Sequence, residues 1–220
     1  FDAVSNGVAD MYHGAEYYWQ GRSPAFNFYC AVPMGMTAHE IMGWVEYGGG
    51  QELWEELSGQ FGLIAFQAGN SGHQMGGWFN KQINSLDDLK GLKIRTPGLG
   101  GEVLTRLGAT TVNMPGGEVF TALQTGAIDA TDWVSPYNDL AFGLHKAAKY
   151  YYYPGWHEPG TQLELIVNAK AWHELPPDLQ KIIESAAAAA SLFMYGMMEV
   201  ENAKALRALK DSGHVELLQF

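Results

Sequence analysis

Apolar positions along the chain change period several times, and each change marks an element. Over residues 40–61, Ile41, Trp44, Leu53, Trp54 and Leu57 fall at helical spacing, interrupted by Gly48-Gly49-Gly50. Residues 62–66 form a short apolar run of strand length. Ser85-Leu86-Asp87-Asp88 predicts a capping box, with the serine accepting from first-turn amides and Asp88 reaching back, ahead of a one-turn helix that ends near Gly91. Leu92-Lys93-Ile94-Arg95 alternates as a strand, and Pro97-Gly98-Leu99-Gly100-Gly101 reads as a turn. A short helix over 102–107, a strand over 110–114, a helix over 117–124 closed by Gly126 and a strand over 127–133 follow. This βαβαβ rhythm predicts an α/β fold with at least partly parallel strands.

Beyond it, 137–149 reads as helical, and Tyr150-Tyr151-Tyr152-Tyr153 and 162–168 as strands. The longest signal starts at Pro176-Pro177 and runs to about Leu209, with Leu179, Ile182, Ile183, Ala186, Ala190, Phe193, Met197 and Leu206 at spacings of three and four. Such a helix would reach about 50 Å, more than a small domain needs. It is either one side of a helical layer or a spine that touches two lobes, with alanines 186–190 permitting close approach at its centre.

The 220 residues carry 13 Lys+Arg against 24 Asp+Glu, a net charge of −11, with 47% hydrophobic and only 17% charged residues. That composition excludes a disordered chain and gives no footprint for a nucleic-acid backbone. The one cysteine, Cys30, sits in an apolar run and reads as a buried structural thiol; it excludes an intrachain disulfide framework and a cysteine-rich zinc module. No apolar stretch is long enough for a membrane-spanning helix. Both ends, Phe1-Asp2-Ala3-Val4 and Leu217-Leu218-Gln219-Phe220, read as cut through structured sequence, so a fragment lacking N- and C-terminal segments is expected.

The residues offer no convincing catalytic constellation. Seven histidines are scattered without metal spacing, and neither a G-x-S-x-G elbow nor a phosphate loop is present. Gly98-Leu99-Gly100-Gly101 lacks the full nucleotide-binding fingerprint and reads as a plain loop. Arg95 ends a strand before a glycine-rich turn, where open α/β sheets bind ligands. There it is either a fork for a carboxylate or a surface arginine in a salt bridge. Asp132-Trp133 has the same placement, and Asp132 could bind a metal, act as a base or cap the next helix. Glu158, in the turn Gly155-Trp156-His157-Glu158-Pro159-Gly160, is a further candidate ligand, and Gln74 sits in the glycine-rich, aromatic run 72–78. Tyr18, Trp19, Trp78 and Trp156 could wall a small-molecule cavity, or simply fill core.

Leu86-Asp87-Asp88-Leu89-Lys90-Gly91-Leu92-Lys93-Ile94-Arg95-Thr96-Pro97-Gly98 and Gly117-Glu118-Val119-Phe120-Thr121-Ala122-Leu123-Gln124-Thr125-Gly126-Ala127-Ile128-Asp129-Ala130 resemble the signatures of TRAP-transporter solute receptors. Asp132-Trp133-Val134-Ser135-Pro136-Tyr137-Asn138-Asp139 and Tyr153-Pro154-Gly155-Trp156 resemble the subgroup that binds 2-oxo or 2-hydroxy monocarboxylates with a metal ion. The resemblance implies an α/β, two-lobed fold of the periplasmic binding protein type (type II-like), with the long helix spanning both lobes and closing on its ligand. It implies a division into 1–41 (rest of the N-terminal lobe), 42–90 (lobe crossover and N-terminal elements), 91–168 (mainly C-terminal lobe), 169–211 (spine helix) and 212–220 (start of a truncated segment). It also implies a periplasmic receptor, not an enzyme, that passes pyruvate, lactate or a similar acid to a membrane permease.

Carried onto this chain, Arg95 holds the ligand carboxylate and Gln74 reaches both ligand and metal. Asp132, the Trp133 carbonyl and Glu158 complete the metal shell, so that Asp132 and Trp133 also count among the substrate-binding residues. Relatives commonly carry glutamate where this chain has the shorter Asp132. All-oxygen donors suit Na⁺ or Ca²⁺. A homodimer of the longer protein is a further expectation. The alternative is a metal-dependent enzyme acting on 2-oxo acids, for which His157 and His73 are the only nearby bases.

Overall fold

The computed structural model describes residues 1–112 and 114–220. Position 113, inside the strand expected over 110–114, lies outside the described residues. The strands are β1 (Met11–Gly14), β2 (Leu63–Asn70), β3 (Gly77–Phe79), β4 (Lys93–Arg95), β5 (Thr110–Val112), β6 (Ala130–Thr131), β7 (Tyr150–Tyr153), β8 (Gln162–Asn168) and β9 (Glu216–Gln219). The chain divides into two compact units. One comprises Phe1–Ala31, Met36–Gly72 and Gly160–Met197, the other Val32–Gly35, His73–Pro159 and Met198–Phe220.

In the first unit β8 lies between β1 and β2, antiparallel to both. The helix expected over 40–61 is two helices, Ala38–Tyr47 and Gly50–Gly59, because Gly49 takes a left-handed conformation (φ +85°) between them. Thr37 and Glu40 form a capping box at the first of these. Their buried faces supply Val45, Trp54 and Leu57 to a core with Phe26, Tyr29, Leu63 and Ile166. Tyr29 stacks on Trp54 at 5.0 Å between ring centroids. Cys30 is fully buried beside Ala15 and Tyr17, as a structural thiol should be.

This core also holds two fully buried carboxyls, Glu16 and Glu164. Glu16 Oε1 accepts from Trp54 Nε1 at 2.7 Å. Glu164 pairs in register with Gly14, where an added Cβ would lie 3.1 Å from Glu164 Oε1, so the absent side chain makes room for the carboxyl. Burial pushes both carboxyls well above the usual range, and for Glu164 the charge on Glu16 adds to it.

The second unit is built on a sheet of order β5-β4-β6-β3-β7-β9. β4 pairs in parallel with β5 and β6, while β3 runs antiparallel to β6 and β7. Leu123, Ile128 and Leu144 fill one core, where Trp78 stacks on Tyr151 at 3.9 Å. Phe79, Leu92, Ile94 and Tyr152 fill another.

Several elements differ from expectation. The helix expected at 102–107 is Gly98–Arg106 and takes in the glycines read as a turn or plain loop. A Cβ on Gly101 would meet Thr96 O at 2.7 Å and one on Gly100 would meet His157 Cβ at 2.8 Å, so these glycines serve close packing. β6 covers only Ala130–Thr131, which leaves Asp132 and Trp133 just past the strand end. The helix expected over 137–149 breaks at Gly143 (φ +81°) into Pro136–Phe142 and a 3-10 turn, Leu144–Lys146. For two of the aromatic residues the core reading holds: Trp78 is fully buried, and the partly buried Trp19 packs against Phe1 and Tyr12. The capping box at Ser85 and Asp88 forms as expected.

The long helix runs Pro177–Asp211, 35 residues. Its residues to Met197 count with the first unit and those from Met198 with the second. Among the described residues, no helix is long and apolar enough to cross a membrane.

The buried carboxyls give the first unit a pH dependence. Their pKa values are raised in the folded state, so the unfolded chain loses these protons first, above about pH 4. Stability therefore falls as pH rises from there through the raised folded values. Glu164→Gln is expected to flatten the decline in Tm between about pH 5 and 8; an unchanged slope in thermal melts would show that the pair does not titrate in this way.

Candidate functional site

Parallel pairing of β4 with β6 sets the site. Arg95 is in register with Thr131, and the Asp132 amide donates to Arg95 O at 3.0 Å. The carboxyl ends of two neighbouring strands thereby deliver Arg95-Thr96 and Asp132-Trp133 to one place. Arg95 Nη1 donates to Asp132 Oδ1 at 3.0 Å, and Thr96 Oγ1 donates to Oδ2 at 3.0 Å. Arg95 is 4% exposed and Asp132 2%, so this is a buried ion pair, not the surface salt bridge that was the alternative for Arg95.

The Arg95 guanidinium carbon lies 5.4 Å from the centre of the Trp133 ring, within cation–π range. That ring stacks on Phe142 at 4.5 Å and lies against Gly116, where a Cβ would come within 2.5 Å of it. Asp139 braces the turn that follows. Its Oδ2 accepts from Trp78 Nε1 at 2.9 Å and Tyr151 Oη at 2.7 Å, and its Oδ1 from the Val134 amide at 3.1 Å. Complete burial pushes the Asp139 carboxyl up to about 7 against these donors.

The other candidates arrive on a second backbone contact. The Gln74 amide donates to Glu158 O at 3.2 Å, and the Gly155 amide to Gln74 O at 3.0 Å. A Cβ on Gly155 would run into the Gln74 carbonyl, so the close approach requires glycine there. Gln74 and Glu158 are both buried, at 3% and 4% exposure.

His157, next to Glu158 in the chain, is also 4% exposed, with Nε2 3.2 Å from Asp132 Oδ2. Burial pulls its pKa down, but the adjoining Asp132 and, less strongly, Glu158 outweigh that and leave it raised. Partial burial and the neighbouring His157 hold the His73 pKa below its ordinary value. One donor atom from each of Asp132, His157 and Glu158 lies within 4.8 Å of the others. Such a buried set fits a cation, with two carboxylates to balance its charge.

The structure thus brings Arg95 into contact with Asp132 and Trp133, gathers Asp132 with Glu158, and joins Gln74 to Glu158 through the backbone. Sequence reasoning misses Thr96; its position directly after Arg95 at a strand end is the available signal. His157 reads from sequence only as a base, because a single histidine without a spaced partner carries no metal pattern. A cavity of about 800 Å³ in the same unit is largely apolar, walled by Phe79, Leu89, Ile94, Leu104 and Trp156, and meets the charged cluster at Thr96, Asp132 and His157. Arg95, Gln74 and Glu158 do not line it.

Comparison with known proteins agrees in sequence and in fold. The family profile for bacterial extracellular solute-binding proteins, family 7 (DctP), matches residues 1–220. A monocarboxylate 2-oxoacid-binding periplasmic protein of Nostoc sp. (strain PCC 7120) is 47% identical over 212 residues, covering 96% of this chain. The chain spans 58% of that relative's length. A TRAP periplasmic solute-binding protein from Pseudoalteromonas atlantica T6c, solved with bound sodium and pyruvate, superimposes with a TM-score of 0.96 at 48% identity. One from Colwellia psychrerythraea, solved with bound calcium and pyruvate, gives 0.97 at 49%. Each covers all of this chain, which in turn covers 67% of each.

Removing one member of a buried pair strands the other. Asp132→Ala is expected to cost about 3–5 kcal/mol in urea unfolding, against about 1 kcal/mol for Thr96→Val. Equal small effects would place the Arg95–Asp132 pair in a solvated setting.

Proposed function

Because the chain belongs to the bacterial extracellular solute-binding proteins of family 7, we propose that it acts in the periplasm as a TRAP-transporter receptor, taking up a short 2-oxo or 2-hydroxy monocarboxylate together with Na⁺ or Ca²⁺ and passing it to membrane permease subunits. The observation that carries this reading is the buried Arg95 held 3.0 Å from Asp132, a carboxylate that also belongs to the three-donor cluster with His157 and Glu158. Few guests satisfy such a pairing of cation and anion. A 2-oxo acid does, because a carboxylate oxygen and the keto oxygen lie on one edge of the molecule and the remaining carboxylate oxygen points away.

Arg95 grips the guest's carboxylate through its rigid fork of donors. A guanidinium has five N–H donors, so holding Asp132 and holding a guest are compatible. Gln74, Asp132, the Trp133 carbonyl and Glu158 hold the ion and orient the acid's oxygens toward it. The ion, when bound, supplies the positive charge that lets these acidic groups and an anionic guest share one buried space. Trp133 and Phe142 shield the guanidinium from one side, which strengthens its charged contacts. The relatives from P. atlantica and C. psychrerythraea, solved with pyruvate beside sodium or calcium, support the same chemistry here. The proposal is binding without turnover.

Calorimetry with pyruvate, in the presence and absence of Na⁺ or Ca²⁺, tests it. Binding is expected to require the ion, and NMR of the incubated mixture should show pyruvate unchanged. Arg95→Ala should lose about 2–5 kcal/mol of affinity, the cost of stranding a buried charged partner. Unchanged affinity in that variant would make Arg95 structural, and conversion of pyruvate would favour an enzyme instead.

A further inference from the structure

We infer that His157 is itself a ligand to the ion, so that this site accepts divalent transition-metal cations such as Co²⁺ or Zn²⁺ in addition to hard cations. The inference rests on the receptor reading and adds an imidazole nitrogen to its donor set.

Three observations carry it. First, a donor atom of His157 lies within the same 4.8 Å cluster as those of Asp132 and Glu158. Second, Nε2 is 3.2 Å from Asp132 Oδ2, yet it has no hydrogen-bond partner and is buried. A histidine kept only to hold Asp132 would aim its N–H along that line. Two donors bound to one ion at 2.0–2.2 Å stand about 3.0–3.4 Å apart without pointing at each other, as these atoms do. Third, the surroundings fix both groups. Gly100 lets the helix Gly98–Arg106 pack against His157 Cβ, and the Trp156 ring meets the imidazole edge-on at 5.4 Å. Arg95 and Thr96 hold the two oxygens of Asp132, the outer-shell support that metal ligands usually have.

An imidazole among carboxylates changes which ions compete. Oxygen donors alone favour Na⁺, Ca²⁺ and Mg²⁺, whereas one nitrogen raises affinity along the first-row series toward Co²⁺ and Zn²⁺. The opposing account is a protonated His157 paired with Asp132, in which the ring repels any cation and its removal affects all ions alike.

The test titrates the metal-stripped protein with Co²⁺ and separately with Ca²⁺, each in the presence of pyruvate. Visible Co²⁺ absorption, and X-ray absorption at the cobalt edge, report the ligands. Tight Co²⁺ uptake with the scattering signature of one imidazole is expected, and His157→Gln should weaken Co²⁺ about 100-fold or more while Ca²⁺ changes less than tenfold. Absent Co²⁺ uptake, or Co²⁺ bound with no imidazole in its spectrum, overturns the inference; the wild-type spectrum decides between these outcomes even if His157→Gln fails to fold. Pyruvate binding with Ca²⁺ in the same preparation separates this failure from a failure of the receptor reading, in which neither ion would support pyruvate binding.

Discussion

Two carboxylates cannot be buried together at neutral pH unless positive charge is buried with them. Asp132 and Glu158 are 2% and 4% exposed, and the second unit is arranged around balancing them. Arg95 supplies one fixed charge, and an ion would supply a variable one. Arg95 leaves one of the two carboxylate charges unbalanced; a monovalent ion would balance it alone, and a divalent ion would leave one positive charge over, the charge an anionic guest cancels. The same constraint is met differently in the first unit, where Glu16 and Glu164 are buried without an arginine and burial favours their protonated forms.

Backbone geometry positions the cluster. Parallel pairing of β4 with β6 fixes Arg95 against Asp132, and glycines at 100, 116 and 155 let His157, Trp133 and Gln74 approach neighbouring backbone or ring. Asp139, Trp78 and Tyr151 then lock the turn behind Trp133. Much of the cluster's geometry is therefore set during folding.

The elements were largely legible in the sequence where local chemistry decides them. The capping box at Ser85, the left-handed close at Gly126 and the long helix from Pro177 each follow from residue type and spacing. The glycine run 98–101 misled because glycine signals a turn when only local propensity is considered. Here its lack of a side chain serves contact with Thr96 and His157, which lie outside the helix. Trp78 and Trp19 stayed open between core and cavity wall, since composition does not tell an aromatic core from an aromatic wall. In the site, strand-end position singled out Arg95 and Asp132 and an acidic, aromatic turn pointed to Glu158, while Gln74 gained meaning only through family resemblance. His157 and Thr96 stayed hidden because their roles depend on which atoms of Asp132 they face.

The most direct measurement is a crystal structure of the protein grown with pyruvate and Ca²⁺, with anomalous scattering locating the ion. The account places the pyruvate carboxylate on Arg95 and the ion among Asp132, His157 and Glu158, with the acid's keto oxygen turned to it. Pyruvate bound away from Arg95, or an ion bound without contact to Asp132 and Glu158, would contradict it.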